Sequence, residues 1–238
     1  LFLGILQLKN PAVAYLARQI PADWEKSLGS AVYSQYKSGR QIITDPFVVS
    51  QLRRITDPVL DAVRSDRYQF SIAIARDPSI NAFALPGGFI VINTGLILAI
   101  DRPEELAGVL THEIAHVIHQ HGLRRIIESA GMSILVNAIV GNSNGLLAVL
   151  TDNGAYLLDR KFSRDYEREA DESGYRFLKQ GNIDPNGMIT FFKKLKRIEE
   201  KRDGFGRTLQ DSLSFLSTHP ETEERIDRLT RLLMDESG

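Results

Sequence analysis

The stretch His112-Glu113-Ile114-Ala115-His116 decides the fold and the chemistry expected of this 238-residue chain. On an α-helix, residues four positions apart lie on one face, so both imidazoles can reach the same metal ion. Glu113 is rotated by about 100° from His112 and can touch a metal-bound water without being a ligand. Two neutral nitrogen donors, an open coordination position and an adjacent base are what a zinc hydrolase requires. The pattern predicts one Zn²⁺ per chain, with His112 and His116 as ligands and Glu113 as the catalytic base.

A small β-sheet is predicted immediately before the motif. Residues 70–75 carry β-branched side chains at a period of two, which is typical of a half-buried strand. Residues 81–85 and 89–93 predict two more strands, joined by a turn at Pro86-Gly87-Gly88. An extended peptide can add to the open edge of such a sheet, and we expect that edge at Ala82-Phe83-Ala84-Leu85 or at the neighbouring strand.

Helices are predicted on both sides of this sheet. Asp101, Pro103 and Glu104 have the spacing of a capping box, and the motif helix is expected to end at Gly122. The other predicted helices cover residues 11–36 with breaks near Pro21 and Gly29, a segment that begins at Asp45-Pro46, and residues 163–179, 185–202 and 220–234. The pattern indicates an α+β, mostly helical, zincin-type metallopeptidase domain with a small central sheet. We expect one domain over residues 1–238, with an N-terminal helical region at about 1–66 and a catalytic core at 67–235.

Composition and charge exclude several classes of function. The formal net charge is −1, with acidic and basic residues mixed along the chain, so no nucleic-acid surface is expected. The chain contains no cysteine, which excludes structural disulfides, cysteine-type zinc sites and thiol catalysis. No apolar run approaches the roughly 18 residues of a membrane-spanning helix, so the protein as given is expected to be soluble. Residue 1 is Leu rather than Met, so we expect the natural start upstream, where a signal peptide or anchor could have stood.

The most hydrophobic part of the chain follows the motif helix. Residues 123–140 and 146–158 predict two apolar helices separated by a Gly- and Asn-rich linker. Buried core helices, a lid, and an exposed hairpin that contacts a membrane surface or an envelope-protein partner all fit this pattern. The sequence alone leaves these alternatives open.

A third metal ligand is expected on a second helix. A catalytic zinc site needs three protein donors, and the best candidate segment for the third is Glu167-Arg168-Glu169-Ala170-Asp171. Glu167 and Asp171 share a helix face, and the small Ala170 permits close approach to the motif helix. Glu167 can bind the metal while Asp171 orients a ligand His through its other ring nitrogen. Read alone, the same segment also fits a solvated acidic helix face.

His119 and His121 do not fit as further ligands. His119 shares a face with His112 but lies about 10 Å from it along the helix axis, because the rise is ~1.5 Å per residue. The metzincin pattern requires Gly and His at the positions that here hold His119 and Gly122, so that class is excluded. We interpret His119 and His121 as a polar helix end, where such side chains suit the helix dipole.

Four blocks of sequence together resemble a known family. They are Asn81-Ala82-Phe83-Ala84-Leu85-Pro86-Gly87-Gly88 with Thr94-Gly95-Leu96, the HEIAH motif, Ser163 to Asp171, and Thr218-His219-Pro220 with Arg225. In this order they resemble the gluzincin peptidases that include the CAAX prenyl endopeptidases, HtpX, mitochondrial OMA1 and the periplasmic beta-barrel assembly-enhancing protease. Because the membrane-spanning helices of HtpX and the prenyl endopeptidases are absent, the chain is most similar to the soluble, periplasmic members.

The resemblance implies a role for each matched residue. His112, His116 and Glu167 correspond to the zinc ligands. Glu113 corresponds to the catalytic base, and Asp171 to the residue that supports the ligands. Glu167 is chosen over Glu169 because the family ligand stands four residues before the Asp. His219 corresponds to a fourth ligand that keeps the periplasmic relatives latent or, together with Arg225, to an aid for substrate or oxyanion binding. His219 and Arg225 therefore join the candidate catalytic residues.

Two functions fit these observations. The first is a zinc-dependent metalloendopeptidase that cleaves extended or misfolded protein segments in quality control of the bacterial periplasm or cell envelope, by analogy with the family. Backbone pairing with a sheet edge depends little on the amino-acid sequence of the bound peptide, so unfolded or misfolded proteins are the expected substrates. The alternative is a latent, zinc-plugged holdase that binds client proteins with little proteolysis, as the apolar residues 123–158 and a plug at His219 suggest.

Overall fold

The structure is a computed structural model that describes residues 2–130, 161–203, 215, 218, 219 and 222–235. The described helices are α1 (Phe2–Gln19), α2 (Ala22–Ser38), α3 (Pro46–Val63), α4 (Thr94–Ala99), α5 (Pro103–Ile118), α6 (His121–Ala130), α7 (Arg164–Gln180), α8 (Asn186–Asp203) and α9 (Thr222–Asp235). The described strands are β1 (Ile42–Ile43), β2 (Ser71–Ala75), β3 (Ala82–Leu85) and β4 (Phe89–Asn93). These elements confirm the predicted α+β, mostly helical fold.

Two sequence predictions extend beyond the described residues. The apolar segment predicted at 123–158 is described only as far as residue 130, within α6, and its remainder lies outside the described residues. Pro220 of the last matched block also lies outside them. Among the helices that are described, none is both long enough and apolar enough to cross a membrane.

The four strands form one mixed sheet in the order β1-β2-β4-β3. β2 and β4 pair in parallel, whereas β3 and β4 form the predicted antiparallel hairpin around a 3₁₀ turn at Pro86–Gly88. Because β3 pairs only with β4 in the described sheet, one side of β3 is an edge. The two faces follow the strand period of two: Ile90 and Ile92 join the main core, and Val91 packs with Tyr36 of α2 on the opposite face.

Helix α5 runs through the main core between the sheet and the helices α7 and α8. Every residue from Glu105 to Val117 is buried. α5 contacts β3 as well as α3, α7 and α8. Gly108 permits the approach of α8, since a Cβ on Gly108 would lie 2.7 Å from the Met188 Cα atom. The helix that carries the motif is therefore held by its neighbours along most of its length, which fixes the direction of its side chains.

The predicted helix break at Pro21 is confirmed, but the break near Gly29 is wrong. α1 ends at Gln19 and α2 begins at Ala22, whereas α2 continues through Gly29 without interruption. A Cβ on Gly29 would lie 1.8 Å from the Pro86 carbonyl oxygen. Gly29 is thus explained by close packing of α2 against the hairpin turn rather than by the end of a helix.

Both predicted ends of the motif helix also differ from the structure. Arg102, not Asp101, precedes the first turn, and no side chain caps it. Instead, the Asp101 N–H donates to the Glu105 carboxylate. The helix ends at Ile118, and the chain then turns at Gln120, whose φ is 55°, so Gly122 lies inside the next helix. This early turn brings His121 back toward the motif.

Candidate metal centre

α5 directs the two motif imidazoles to the same point. The helix begins with Pro103 at its first position and Glu104 and Glu105 in its first turn, residues that favour helix initiation and suit the dipole. About two and a half and three and a half turns later, His112 and His116 lie one above the other with their Nε2 atoms 3.0 Å apart. Both rings are fully or almost fully buried. The expected i, i+4 arrangement is therefore present on the helix.

α7 places a carboxylate opposite these rings. The helix begins at a Ser163 cap, whose hydroxyl accepts from the Tyr166 N–H. Glu167 lies in the first turn, with Oε2 3.5 Å from His112 Nε2 and Oε1 3.6 Å from His116 Nε2. Gly174 lets α7 approach α5, because a Cβ there would already lie 3.2 Å from the His112 backbone nitrogen.

His219 completes a group of four residues. Its Nδ1 lies 3.2 Å from His112 Nε2 and 2.9 Å from Glu167 Oε1. Its Nε2 lies 3.5 Å from the Glu113 carboxylate. His219 is almost fully buried, so it shares the interior of the site with the motif rings.

The donor set fits a divalent cation. One ligand atom from each of His112, His116, Glu167 and His219 lies within 4.8 Å of the other three. Within the described part of the chain, Oε1 of Glu113 is buried without a hydrogen-bond partner, and Oε2 of Glu167 has only the ion pair with Arg225 Nη1 at 2.9 Å. Buried carboxylate oxygens of this kind are costly unless a cation or donor offsets them. Imidazole nitrogens combined with one carboxylate are also the donor types that zinc accepts.

Asp171 and Arg225 lie directly behind the donor group. Asp171 Oδ1 is 2.9 Å from His112 Nδ1, on the side of the ring away from the cluster. Arg225 donates to both Asp171 oxygens through Nε and Nη2, each at 2.7 Å. Its Nη1 lies 2.9 Å from Glu167 Oε2 but outside hydrogen-bond geometry, so it has no hydrogen-bond partner among the described residues. The guanidinium also stacks over the Phe192 ring at 4.2 Å.

Glu113 lies between the donor group and the sheet edge. Its side chain is buried, and its carboxylate accepts a hydrogen bond from the Ala84 N–H of β3. This bond shows that the unpaired side of β3 faces the motif helix. A peptide that paired with this edge would pass beside the Glu113 carboxylate.

A small cleft adjoins the group of four donor residues at the same edge. His116 and the Phe162 ring, which stack at 4.1 Å between centroids, lie on one side of the cleft. Ala84 and Leu85 of β3 lie in its wall. The full lining comprises Glu25, Ala84, Leu85, Pro86, His116, Val117, Gln120, Gly122, Leu123 and Phe162. The cleft therefore connects the edge strand with the second motif His.

Burial and charge shift the pKa values of the central groups in different directions. Burial and Arg225 oppose protonation of His112, but hydrogen bonds to Asp171 and Glu167 outweigh them and raise its pKa to about 9. Burial lowers the pKa of His116 and raises that of Glu113. The pKa of Glu167 lies well below its usual value because His219 and Arg225 outweigh its burial. Glu167 is therefore ionised, as a ligand carboxylate must be.

The interpretation of His121 as a polar helix end missed its place in the site. His121 is fully buried at the start of α6, with Nδ1 2.9 Å from His116 Nδ1 and Nε2 2.9 Å from Glu169 Oε2. His119, by contrast, is partly exposed and contacts Glu169 and Ser173. Glu169 does not reach the donor group, and its pKa is lowered by hydrogen bonds from His119 and His121. A second pair of histidines just past the motif was the signal that could have indicated these contacts.

Comparison with known proteins agrees with this geometry. The model of a family described as Peptidase family M48 matches residues 48–233. The matched range contains the β3–β4 hairpin, the motif helix α5, the helix α7 and His219.

Three relatives show how far the similarity extends. The mitochondrial metalloendopeptidase OMA1 of Schizosaccharomyces pombe is 26% identical over 219 residues, which cover 90% of this chain and 62% of the relative. The beta-barrel assembly-enhancing protease of Escherichia coli K12 is 25% identical over 226 residues, covering 85% of this chain and 42% of the relative. A Vibrio cholerae protein with a similar name is 30% identical over 214 residues, which cover 86% of this chain and 43% of the relative. The chain thus spans less than two thirds of the length of each relative.

Proposed function

Since the chain belongs to peptidase family M48, we propose that it is a zinc-dependent endopeptidase that hydrolyses peptide bonds in extended or misfolded protein segments. The observation that carries this proposal is the convergence of His112, His116 and Glu167 beside the buried carboxylate of Glu113. The relatives named as a protease or a metalloendopeptidase support peptide-bond hydrolysis as the class of reaction.

The zinc ion would be held by His112, His116 and Glu167, with His219 as a fourth ligand at rest. Two or three imidazoles and one carboxylate favour zinc over the hard ions magnesium and calcium, which prefer oxygen ligands. When bound, zinc supplies a Lewis acid that lowers the pKa of a water and polarises a scissile carbonyl.

Glu113 would move the proton in both halves of the reaction. It takes a proton from the attacking water and later gives it to the leaving amine nitrogen. The raised pKa that burial gives Glu113 makes it a better proton acceptor than an exposed glutamate. The hydrogen bond from the Ala84 N–H keeps the carboxylate beside the sheet edge where substrate would lie.

Asp171 and Arg225 would orient the metal ligands. Asp171 accepts from the Nδ1–H of His112, which leaves the Nε2 lone pair of that ring for the metal. Arg225 donates hydrogen bonds to Asp171 through Nε and Nη2. Its Nη1 lies 2.9 Å from Glu167 Oε2, so it would hold that ligand carboxylate in place and could reach an oxyanion only by leaving it.

Substrate would bind along Ala82-Phe83-Ala84-Leu85 of β3 as an added strand. The edge position of β3 and the contact of Ala84 with Glu113 support this placement. Recognition through backbone hydrogen bonds requires a substrate segment without stable structure of its own. The names of the bacterial relatives support quality control of cell-envelope proteins, with the bacterial periplasm or cell envelope as location.

Removal of the metal is the direct test of this proposal. We expect one zinc per purified chain by elemental analysis and cleavage of casein that a strong chelator abolishes. Stoichiometric zinc should restore cleavage, whereas magnesium should not, because the donor set is rich in nitrogen. Equal casein cleavage by the metal-free and zinc-loaded chains would refute a zinc peptidase.

Replacement of His219 tests whether this residue closes the site. In His219→Ala we expect basal casein cleavage to rise by roughly tenfold or more. The substitution removes the contact of His219 Nδ1 with the Glu167 carboxylate, which must otherwise break before the site opens. A hydrogen bond to a charged group contributes about 1.5–3 kcal/mol, and ~1.4 kcal/mol corresponds to a factor of ten in the open population. His119→Ala is the matched control, since His119 does not touch the donor group, and it should not raise cleavage. Lower cleavage in His219→Ala would show instead that His219 assists the oxyanion.

A further inference from the structure

His116 is supported by a second histidine rather than directly by a carboxylate. His121 lies at the start of α6, fully buried, with its ring stacked on Tyr166 at 4.4 Å between centroids. Its Nδ1 is 2.9 Å from His116 Nδ1, and its Nε2 is 2.9 Å from Glu169 Oε2. His121 therefore bridges His116 of α5 and Glu169 of α7.

The positions of the protons in this chain of contacts are determined by the metal site, so the inference rests on the proposed function. His116 directs Nε2 toward His112 and Glu167, and a ligand nitrogen must carry a lone pair. The proton of a neutral His116 is then on Nδ1, where it can be donated to His121. His121 must accept through Nδ1 and hence carries its own proton on Nε2, which donates to Glu169.

Glu169 is well placed to end this series of hydrogen bonds. His119 Nδ1 lies 3.1 Å from its Oε1, and Arg124 Nη1 lies 3.2 Å from its Oε2. These contacts fix the carboxylate against which the His121 ring is oriented. Both motif ligands thus reach a carboxylate of α7: His112 directly through Asp171, and His116 through His121.

We propose that His121 is a positioning residue for the metal, which holds His116 in its Nδ1–H tautomer and in the ring orientation that zinc requires. Partners of this kind usually change metal affinity or activity by about 10- to 100-fold when they are removed. The role is distinct from ligation, because neither ring nitrogen of His121 is in the group of four donors.

Two substitutions at position 121 separate positioning from packing. His121→Phe keeps an aromatic ring beside Tyr166 but leaves the buried His116 Nδ1–H without its acceptor, so zinc affinity should fall by about 10- to 100-fold. His121→Asn loses the ring but carries an oxygen near the position of Nδ1, so it should recover much of the affinity. The measurement is the zinc dissociation constant, by competition with a chromophoric chelator. Equal zinc affinity in wild type and His121→Phe, or equal losses in both variants, would overturn the proposal.

Two reference variants distinguish failure of this inference from failure of the metal site. His116→Ala should lose zinc binding; wild-type affinity in that variant would show that the metal site itself is misplaced. If His116→Ala loses zinc while His121→Phe binds normally, only the positioning role fails. His119→Phe removes one contact to Glu169 without touching His116, so it should reduce affinity less than His121→Phe.

The tautomers of His116 and His121 can be measured in the unmodified protein. This measurement does not depend on whether a variant folds. Nitrogen-15 NMR of the histidine rings in the zinc-loaded chain should show His116 protonated at Nδ1 and His121 protonated at Nε2. Observation of His121 protonated at Nδ1 would overturn the proposal, because that nitrogen could not then accept from His116.

Discussion

Substitution of Glu113→Gln is expected to lower kcat/KM for casein cleavage by about 10²- to 10⁴-fold, the usual contribution of a general base. Gln has the shape of Glu, and its side-chain oxygen can still accept the Ala84 N–H. The amide cannot take a proton from water, so the proton transfer is lost while the fold remains. Bound zinc, measured by elemental analysis, should match that of the wild type because Glu113 is not among the proposed ligands.

Glu104→Gln is the matched control for this experiment. Glu104 lies in the first turn of the same helix, about 13 Å before Glu113 along the axis, and its partly buried side chain pairs with the exposed Arg102. Wild-type cleavage is expected in this variant. Undiminished cleavage in Glu113→Gln would contradict its assignment as the base. A wild-type chain that binds unfolded proteins without cleaving them, equally well with Gln at position 113, would instead indicate a holdase.

The part of the site that lies within one helix could be predicted from the sequence, because helix geometry determines it. His112, Glu113 and His116 need only the spacing of an α-helix to lie as they do. The same argument puts Glu167 and Asp171 on one face of α7. Which acid faces the metal is a question of tertiary packing, and the choice of Glu167 over Glu169 came from the family resemblance.

Contacts that depend on turns and on helix packing were not predictable in the same way. His121 reaches His116 because α5 ends at Ile118 and the chain turns at Gln120, and both features differ from the expected end at Gly122. The pairing of Arg225 with Asp171 joins residues 54 positions apart, so no local pattern indicates it. Gly29 was misinterpreted for a related reason, since a glycine that admits a neighbouring backbone looks in sequence like one that ends a helix.

Removal of Glu167, the proposed third ligand, is the second substitution with a large expected effect. In Glu167→Ala, zinc affinity should fall by more than the 10- to 100-fold that loss of an outer partner typically costs. The variant loses a donor oxygen and a negative charge, and it also leaves Arg225 Nη1 near the cation without the carboxylate that now lies 2.9 Å from it. Removing one partner of a buried ion pair is destabilising for the same reason. Zinc content after dialysis and a competition titration measure the effect.

A graded series shows whether Glu167 acts as a ligand or only as a charge. Glu167→Gln keeps an oxygen donor but loses the charge, so its zinc affinity should lie between those of Glu167→Ala and the wild type. Glu172→Ala is the matched control on α7, because Glu172 pairs with Arg228 near the surface, where such pairs contribute little. Full zinc retention in Glu167→Ala would place the third ligand elsewhere. Equal losses in Glu167→Ala and Glu167→Gln would mean that the charge facing Arg225, rather than the donor oxygen, determines affinity.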